Sequence, residues 1–323
     1  MFDVVSFGTA TLDVFLRSPE MKISGSDIDK DICVRYGAKI EVDEIYFDCG
    51  GGGTNSAVTF ARQGLLVSCV AQIGDDFAGN KVITDLAKEG IGNDLFDVQK
   101  GKYTDYSTIL WVGDGGRTVL IYRGKTRLET EGIKWEELDS KWFYVSSLEG
   151  NLEIVKKLTD LGKSIAWNPG ERELAQKESL ISLLPKITQL NVNKEEMEEL
   201  LGMGKVEEIK ELLIKAQTLP CKYVVITDDR RGAYLWDKES LSWYHSDIFE
   251  DSLRLETTGA GDAFGSGLVT GFIKSESIEN CLWLASANAS SVVSQVGAKK
   301  GILKEVDFGN WPKEKLKIEK ITF

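Results

Sequence analysis

The sequence predicts a single α/β domain in which a doubly wound, mostly parallel sheet carries helices on both faces. Short apolar segments alternate with segments of about ten residues that have helical spacing, which is typical of helices covering a parallel sheet. The chain has 323 residues, 42% hydrophobic and 28% charged, so it can bury one large core. Five prolines are too few for long disordered linkers. We therefore treat residues 1–323 as one domain.

The first half of the chain begins this alternation. VVSFG at 4–8 predicts a buried strand, and SAVTFARQG at 56–64 predicts a helix. VSCVAQIG at 67–74 predicts another strand, and NKVITDLAKEG at 80–90 another helix. Both predicted helices end at a glycine, which readily adopts the left-handed conformation that closes a helix.

The second half repeats the pattern. Its predicted strands and helices are WFYVSS (142–147), LEIVKKLTDLG (152–162), SIAWNPG (164–170), ITQLNVN (187–193), EEMEELLG (195–202), YVVITD (223–228) and the long segment 262–295. Such repetition indicates a large parallel sheet.

Two parts of the chain break the alternation and predict a small inserted sheet. Residues 14–18 with 31–48, and residues 106–123, alternate apolar and polar side chains as half-exposed antiparallel strands do, and the second part contains a DGG turn. We expect a β lid beside the main sheet; an oligomerisation edge and a sheet without functional role are the alternatives. Because free sheet edges favour pairing, a homodimer through the lid is also expected.

The charge of the chain argues against several partners. Its formal net charge is −12, whereas nonspecific binding to nucleic acid or to anionic membranes requires a basic surface. No run of about 18 apolar residues is present, and the N-terminal segment lacks the basic start of a signal peptide. We expect a cytoplasmic protein that binds neither nucleic acid nor membrane.

The scarcity of histidine narrows the chemistry. With His245 alone, neither a Ser-His-Asp triad nor a site with two histidine ligands is well supplied. The five cysteines are scattered without a CxxC pair, so a disulfide framework or zinc site has little support. An enzyme with this composition would use a carboxylate or a lysine for proton transfer.

The segment ETTGAGDAFGSG at 256–267 surrounds one acid with small residues. A helix that begins after Thr258 leaves the N–H groups of Gly259, Ala260, Gly261 and Asp262 without partners inside the helix, and the helix dipole adds positive potential there. Glycine permits close approach of a ligand to the backbone. The segment therefore predicts an anion site.

Asp262 is the unusual member of this segment. It is explained either as a helix-stabilising N-terminal charge, worth about 0.3 to 1 kcal/mol, or as a chemical group. Close packing on the sheet would likewise explain Gly265, Gly267 and Gly271 without a function. However, a carboxylate beside an oxyanion cradle can take a proton from a hydroxyl while the amides stabilise a transferred phosphoryl group. This arrangement is what a phosphotransferase needs.

Three motifs in order along the chain resemble the ribokinase-like, or PfkB, family of sugar and nucleoside kinases. They are GGGGTNSAVTFARQG (50–64), IGDDFAGNKV (73–82) and TTGAGDAFGSGL (257–268). The resemblance implies ATP as phosphoryl donor, Mg²⁺ as cofactor, Asp262 as general base, and an anion hole formed by Gly259, Ala260, Gly261 and Asp262.

The resemblance also implies the residues that bind the acceptor: Asp13, Gly51, Gly52, Asn55 and Glu149. Many ribokinases have a lysine where this chain has Gly52, which makes ribose itself a less secure acceptor. The alternatives are a turn or helix-capping role for Asp13, a capping role for Asn55 at the start of the helix near it, and an exposed loop position for Glu149.

On the donor side the resemblance implies contacts from Asn193, Glu196, Thr227 and Gly232. Asn193 and Glu196 match an NxxE element in which the glutamate acts on Mg²⁺ through water, and Thr227 and Gly232 match a turn under the nucleotide. The segment ASANASSVV is expected at the rim of the adenine, with Ser286 and Asn288 as alternatives.

Two positions depart from the family pattern. Asp229 replaces a usual glycine, and an acid near phosphates repels them unless a metal, Arg230 or Arg231 intervenes. Glu256 replaces an aspartate that often helps to bind a monovalent cation. Activation by K⁺ is therefore an alternative rather than the expectation.

The leading functional prediction is an ATP-dependent kinase that phosphorylates a primary hydroxyl of a small sugar. A nucleoside kinase of the same family is the main alternative, with Trp111, Tyr46 or Phe47 stacking on a base. A noncatalytic regulator that binds sugar or nucleotide is a more remote one. The absence of GxxxxGK[ST], and of GxGxxG after the first strand, argues against a Walker-type nucleotide site and against a dinucleotide oxidoreductase.

Overall fold

The computed structural model describes residues 1–25, 30–112, 117–250, 254–255 and 257–322. The strands in these residues are β1 Phe2–Phe7, β2 Thr11–Arg17, β3 Lys22–Gly25, β4 Lys30–Cys33, β5 Glu44–Gly50, β6 Val67–Val70, β7 Gln72–Gly74, β8 Asp97–Gln99, β9 Asp105–Trp111, β10 Arg117–Tyr122, β11 Ser140–Val145, β12 Ser164–Trp167, β13 Gln189–Asn193, β14 Tyr223–Thr227, β15 Ala233–Asp237, β16 Ser242–Ser246 and β17 Ile318–Ile321. The α-helices are α1 Gly52–Arg62, α2 Phe77–Lys88, α3 Leu152–Asp160, α4 Glu171–Leu174, α5 Lys177–Leu183, α6 Lys194–Leu200, α7 Ile209–Ala216, α8 Ala260–Ile273 and α9 Ile278–Val293.

The main sheet has nine strands in the order β17-β16-β15-β14-β13-β12-β11-β1-β6. The pairs from β14 to β6 are parallel, and those from β14 to β17 are antiparallel. The order reverses around β1, which lies between β11 and β6, and ligands of open α/β sheets bind beyond the carboxyl ends of strands at such a reversal. This topology brings the segments after β1 and β11 together.

Helices cover both faces of this sheet. On one face a core cluster joins buried side chains of α3, α5, α6 and α7 to the sheet: Leu158, Leu180, Met197, Leu213 and Trp167. On the other face a second cluster joins α1, α2, α8 and α9 to the sheet: Val58, Val82, Val269, Val292 and Tyr144. The predicted doubly wound, mostly parallel architecture is confirmed.

A smaller four-stranded sheet has the order β10-β9-β2-β5. Strands β2 and β9 are parallel, and the other pairs are antiparallel. The predicted small sheet is therefore present, but the prediction for 31–48 was wrong in its middle. Residues 30–33 pair with 22–25 in a separate hairpin, and only 44–50 join the four strands. A turn intervenes, because Gly37 has a φ of 74° that no extended strand accepts.

The predicted DGG turn at 114–116 lies outside the described residues. The assignment of residues 1–323 to one domain, and the role of the small sheet as a lid, stay predictions. In the described part of the chain, no helix is both long and apolar enough to cross a membrane.

Helix α1 begins one turn earlier than predicted. Gly51 is its N-cap with a φ of 93°, and the backbone N–H of Asn55 already donates to the Gly51 carbonyl at 2.9 Å. A Cβ on Gly51 would lie 2.3 Å from the carbonyl oxygen of Thr9, so glycine is required there. Asn55 consequently lies inside the helix, and the capping role considered for it was wrong.

Candidate active site

Helix α8 begins at the predicted point. Gly259 is its N-cap with a φ of 77°, and a Cβ there would lie 2.7 Å from the Ala298 side chain. Gly261 is different, because a Cβ on it would meet no atom within 4 Å. Gly261 is exposed, so the first turn of α8 faces open space where an anion can approach its amides.

The three glycines further along α8 are explained by packing. A Cβ would lie 2.4 Å from the Tyr144 hydroxyl at Gly265, 3.0 Å from Ala285 at Gly267, and 2.6 Å from the Cys281 sulfur at Gly271. They let α8 lie directly on β11 and α9. The structural explanation considered for these three glycines is thus the better one.

Asp262 lies on the first turn of α8 and contacts the glycine-rich start of α1. Its Oδ2 accepts a hydrogen bond from Asn55 Nδ2 at 2.9 Å, and its Oδ1 lies 3.2 Å from the place of a Cβ on Gly52. Burial raises the pKa of the Asp262 carboxyl, whereas the Asn55 hydrogen bond and the charge of Lys299 lower it. The net direction is upward, which makes this carboxylate a stronger base than an exposed one.

Lys299 is a buried cation in this site that the sequence reasoning missed. Its Nζ donates to the Cys49 carbonyl, to Thr54 Oγ1 at 2.9 Å and to Asn55 Oδ1 at 2.5 Å. In the sequence it is one of two adjacent lysines after a glycine and an alanine, and no spacing distinguishes it from its neighbour.

Asp13 lies within β2, so neither a turn nor a helix cap explains it. The residue is 7% exposed, and its Oδ1 accepts from Thr11 Oγ1 at 3.0 Å. Burial raises the pKa of the Asp13 carboxyl, while hydrogen bonds from Thr11 and Ser107 and the charge of Lys299 lower it. A Cβ on Gly50 would lie 1.9 Å from Asp13 Oδ2, which shows that the glycine run packs against this acid.

Glu149 is held by two arginines. Its Oε1 lies 3.3 Å from Arg123 Nη1 and its Oε2 lies 2.7 Å from Arg172 Nη1. The side chain is only 10% exposed, so the alternative of an exposed loop acid was wrong. Glu149 has a φ of 58°, a strained value for a residue with a side chain, of the kind that clusters at functional sites.

A cleft adjoins the N-terminus of α8. Its lining includes Thr227, Gly232, Ala260, Gly261, Ser286 and Val293. Thr227 ends β14, and Gly232, with a φ of 81°, follows in the turn to β15. A Cβ on Gly232 would lie 1.9 Å from the Ser246 carbonyl oxygen, which explains the glycine. Thr227 and Gly232, which are predicted to bind the phosphoryl donor, therefore line the same cleft as Ala260 and Gly261. We call it the donor cleft.

The departure at Asp229 is accommodated by a left-handed backbone and an ion pair. Asp229 has a φ of 43°, and its Oδ1 lies 3.1 Å from Arg254 Nη1. Both residues line the donor cleft. Arg231 pairs instead with buried Asp228 at 2.7 Å. The arginine that faces Asp229 is therefore Arg254, which the sequence analysis did not consider.

Asn193 and Glu196 form a reciprocal capping box at the start of α6. The Glu196 N–H donates to Asn193 Oδ1, and the Asn193 N–H donates to Glu196 Oε2, both at 2.8 Å. Burial raises the pKa of the Glu196 carboxyl. This motif explains the pair structurally. No group of three or more acid, histidine or cysteine side chains suited to a metal occurs in the described residues.

The structure separates Ser286 from Asn288. Ser286 lines the donor cleft, whereas Asn288 is buried and donates to the Ala263 carbonyl at 2.9 Å. Asn288 therefore holds α8 against α9. The Ser286 hydroxyl lies 2.9 Å from that of Ser246, and its place at the rim of an adenine stays a prediction. Glu256, the predicted monovalent-cation ligand, lies outside the described residues.

The small sheet directly contacts the segment that precedes α8. Arg117, the first residue of β10, donates from Nη1 to Thr257 Oγ1 at 2.8 Å. This contact joins the edge of the four-stranded sheet to the residues just before α8.

Comparison with known proteins decides the family. A model described as pfkB family carbohydrate kinase matches residues 1–305. The chain belongs to the pfkB family. It is accordingly an ATP-dependent carbohydrate kinase, and the family resemblance predicted from the three motifs is confirmed.

Relatives of this pfkB kinase are distant but cover most of it. A ribokinase of Arabidopsis thaliana is 23% identical over 323 residues, covering 94% of this chain and 81% of the relative. A cytidine kinase of Thermococcus kodakarensis is 24% identical over 253 residues, covering 77% and 88%. The structure of Arabidopsis thaliana ribokinase with ribose and ATP has a TM-score of 0.76 at 20% identity, covering 96% of this chain and 98% of that one.

Proposed function

We propose that this pfkB kinase transfers the γ-phosphoryl group of ATP to a primary hydroxyl of a small sugar, with Asp262 as general base. The observation that carries the proposal is the position of the Asp262 carboxylate. It lies in the first turn of α8, is held by Asn55, and is directed at the glycine-rich start of α1. A hydroxyl placed there lies between a base and a row of amide donors.

The reaction balances with the groups in the site. Asp262 accepts the proton of the hydroxyl, the hydroxyl oxygen forms a bond to the γ-phosphorus, and the bond from that phosphorus to the bridging oxygen of ATP breaks, releasing ADP. The amides of Gly259, Gly261 and Asp262 stabilise the charge on the migrating group, whereas the Ala260 N–H already donates to the Thr257 carbonyl at 3.2 Å, which corrects its predicted place in the anion hole. Because Gly261 faces open space, it leaves room for the phosphoryl oxygens.

The donor cleft supports ATP in a defined orientation. Its end at Ala260 and Gly261 suits the γ-phosphate, and its wall at Ser286 and Val293 suits the adenine. Arg254, which also lines this cleft, offsets the charge of Asp229 there.

Mg²⁺ fits the site only as an ion held largely by phosphates and water, which is how Mg²⁺ usually binds in kinases. Glu196 is the carboxylate that would contact it through water, although one oxygen of Glu196 is engaged in the capping box. When bound, the ion neutralises charge on the β- and γ-phosphates. The water-mediated contact of Glu196 with Mg²⁺ is a proposal, and so is the binding of K⁺ by Glu256.

The acceptor side favours a polyhydroxylated ligand. The buried Asp13 carboxylate can accept hydrogen bonds from sugar hydroxyls, and Asn55, Gly51 and Gly52 border the same region. Glu149, flanked by Arg123 and Arg172, is proposed as a further hydroxyl ligand.

A nucleoside is the alternative acceptor, favoured by the cytidine kinase among the relatives. Of the aromatic side chains considered for stacking, Tyr46 and Phe47 are about half exposed, whereas Trp111 is covered by the Arg17 guanidinium at 5.2 Å. We favour the sugar, because the groups nearest to Asp262 are hydrogen-bonding groups rather than aromatic ones.

The experiment is a thermal-shift panel of pentoses, hexoses, sugar phosphates and nucleosides with a nonhydrolysable ATP analogue, followed by ADP release with each hit. We expect a sugar to raise the Tm of the wild-type protein and to be phosphorylated by it with release of ADP. Asp262→Asn should not release ADP with that sugar. Near-wild-type turnover by Asp262→Asn overturns the assignment of the base. Binding of both ligands without ADP release would instead favour the noncatalytic regulator.

We also propose that the four-stranded sheet joins two copies of the chain. Its edge strands β5 and β10 expose apolar side chains, including Ile45, Phe47, Leu120 and Ile121, each about half exposed. Unpaired strand edges with apolar side chains favour association.

A further inference from the structure

Lys299 is buried although it carries a flexible, charged side chain. The residue is 7% exposed and follows α9 in the segment that also packs against Gly259. Its three hydrogen bonds go to the Cys49 carbonyl, Thr54 Oγ1 and Asn55 Oδ1, which are all neutral oxygens. In the described part of the chain, Lys299 forms no direct ion pair with a carboxylate. A buried ammonium is costly unless nearby groups compensate its charge.

Two carboxylates of the acceptor site provide that compensation at longer range. The charge of Lys299 lowers the pKa of both Asp13 and Asp262, opposing the effect of burial on each. The other charged groups close to it are Asp48, which raises the pKa of Asp13, Glu89, whose pKa the charge of Lys299 also lowers, and Arg62, which donates to the Lys299 carbonyl at 2.8 Å and pairs with Glu89. Lys299 is therefore the cation next to the two acids of the acceptor site.

The hydrogen bonds of Lys299 also fix an orientation. An ammonium can only donate, so the Asn55 amide must present Oδ1 to Lys299. Nδ2 then faces Asp262, whose carboxylate can only accept. If the amide turned over, Nδ2 would face the ammonium and Oδ1 would face the carboxylate, and both contacts would become repulsive. Lys299 therefore reinforces the one amide orientation in which Asn55 can donate to Asp262.

We propose that Lys299 is a positioning residue for phosphoryl transfer, which orients the Asn55 amide and, through it, the carboxylate of Asp262. The proposal rests on the proposed function in one respect, the role of Asp262 as base. Lys299 acts on Asp262 in two ways, through the Asn55 amide that it orients and through its own positive charge.

The test compares Lys299→Met, which removes donor and charge, with Lys299→Gln, which keeps a neutral donor. Lys300→Met is the matched control, because Lys300 is the adjacent lysine and is exposed. With the acceptor identified by the ligand panel, we expect Lys299→Met to lower kcat by roughly 10- to 100-fold with little change in KM for ATP. Lys299→Gln should lose less, and Lys300→Met should match wild type.

A second measurement needs no substrate. Carboxyl ¹³C NMR, with the Asp262 signal assigned by its absence in Asp262→Asn, follows the titration of Asp262 directly. Removing the positive charge should move this titration to higher pH in Lys299→Met and Lys299→Gln, and the acidic limb of the kcat/KM profile should move with it. Lys300→Met should leave both unchanged.

The outcomes separate this proposal from the proposed function. If wild type is active and Asp262→Asn is not, but Lys299→Met keeps the wild-type Asp262 titration and kcat, the positioning role is wrong and the kinase mechanism stands. A lower Tm without a shift of the titration would mean that Lys299 only stabilises the fold, which also overturns the proposal. If Asp262→Asn is fully active, the proposed base is wrong, while the titration still tests the link from Lys299 to Asp262. Should Lys299→Met fail to fold, Lys299→Gln carries the same test.

Discussion

Asn55 Nδ2 donates to Asp262 Oδ2 at 2.9 Å, a contact between residues separated by 207 positions in the sequence. It joins the first turn of α1 to the first turn of α8. The same amide accepts from Lys299 through its oxygen, so a single side chain links a buried cation to the proposed base.

Replacement of this link should impair chemistry more than binding. We expect Asn55→Ala to lower kcat by roughly 10- to 100-fold, because Asp262 and Lys299 each lose a partner, while KM for ATP changes little. Steady-state kinetics over ATP concentration would measure it. Asn80→Ala, an exposed asparagine on α2, is the control. A rise in KM for ATP at unchanged kcat would contradict the placement of Asn55 on the acceptor side.

Asp262 should cost the folded state stability at neutral pH. Burial raises its pKa, so the folded chain holds this proton more tightly than the unfolded chain, and the contribution of Asp262 to stability falls as pH rises through its folded-state pKa. Asp262→Asn should therefore raise Tm at neutral pH, by roughly 2 °C for a gain on the order of 1 kcal/mol, while lowering kcat by about two to four orders of magnitude.

Calorimetry over a pH series checks this prediction. The gain in Tm should vanish below about pH 4, where the aspartate is protonated in the folded and in the unfolded state. Asp160→Asn, which replaces the exposed last residue of α3, should show no comparable gain at neutral pH. Equal Tm values for wild type and Asp262→Asn at every pH would show that the charged Asp262 carboxylate does not destabilise the folded state.

The two glycines at the start of α8 should respond to alanine in opposite ways. Gly261→Ala meets no neighbouring atom, so the fold should tolerate it, whereas the added methyl group faces the phosphoryl site and should lower kcat by roughly 10- to 100-fold. Gly259→Ala should lower Tm, because its φ of 77° and the contact with Ala298 both oppose a side chain. Gly204→Ala, in another open position, is the control for both measurements. Wild-type kcat in Gly261→Ala would argue against the anion hole.

Arg254 should matter for ATP because it faces Asp229. Arg254→Ala leaves the Asp229 carboxylate in the donor cleft without its ion pair, and we expect KM for ATP to rise roughly tenfold. Asp229→Gly should fold well, since glycine readily adopts the φ of 43° found there, and it should partly restore KM when combined with Arg254→Ala. Arg230→Ala is the control. An unchanged KM in Arg254→Ala would mean that phosphates do not approach this end of the cleft.

The oligomeric state tests the proposed lid interface. Light scattering after size-exclusion chromatography at micromolar concentration should give twice the mass of one chain, and Leu120→Lys on β10 should shift the protein to monomer. Val306→Lys, which replaces an exposed apolar side chain outside this sheet, should not. A wild-type protein that is monomeric under these conditions would contradict the dimer.

The sequence predicted best where a local pattern carries the information. Buried strands such as 4–8 and the helix after Thr258 follow from apolar runs and from glycine at helix ends, which neighbouring residues determine. Asp262 could be singled out as a candidate base because the helix-terminal amides and the acid belong to one short segment. The prediction for 31–48 was wrong because it relied on the local pattern alone. The alternation of apolar and polar residues continues through the turn at Gly37, and residues 30–33 pair with 22–25 rather than with the four-stranded sheet.

Contacts between distant segments were beyond that kind of reasoning. Lys299 meets Asn55 across 244 positions, and nothing in its local sequence distinguishes it from Lys300. Arg172, in α4, and Arg254 reach Glu149 and Asp229 only because separate segments of the chain converge at the same edge of the sheet. Asn288 shows the reverse case, in which a plausible ligand contact is a buried packing residue.

The location of Asp13 has a mechanical consequence. It belongs to β2 of the four-stranded sheet, whereas Asp262 belongs to a helix of the nine-stranded body, and residues 8–10 alone separate β2 from β1. A sugar that bonded to both of these proposed ligands would bridge two sheets joined by a three-residue connection, and its binding energy would then favour drawing them together.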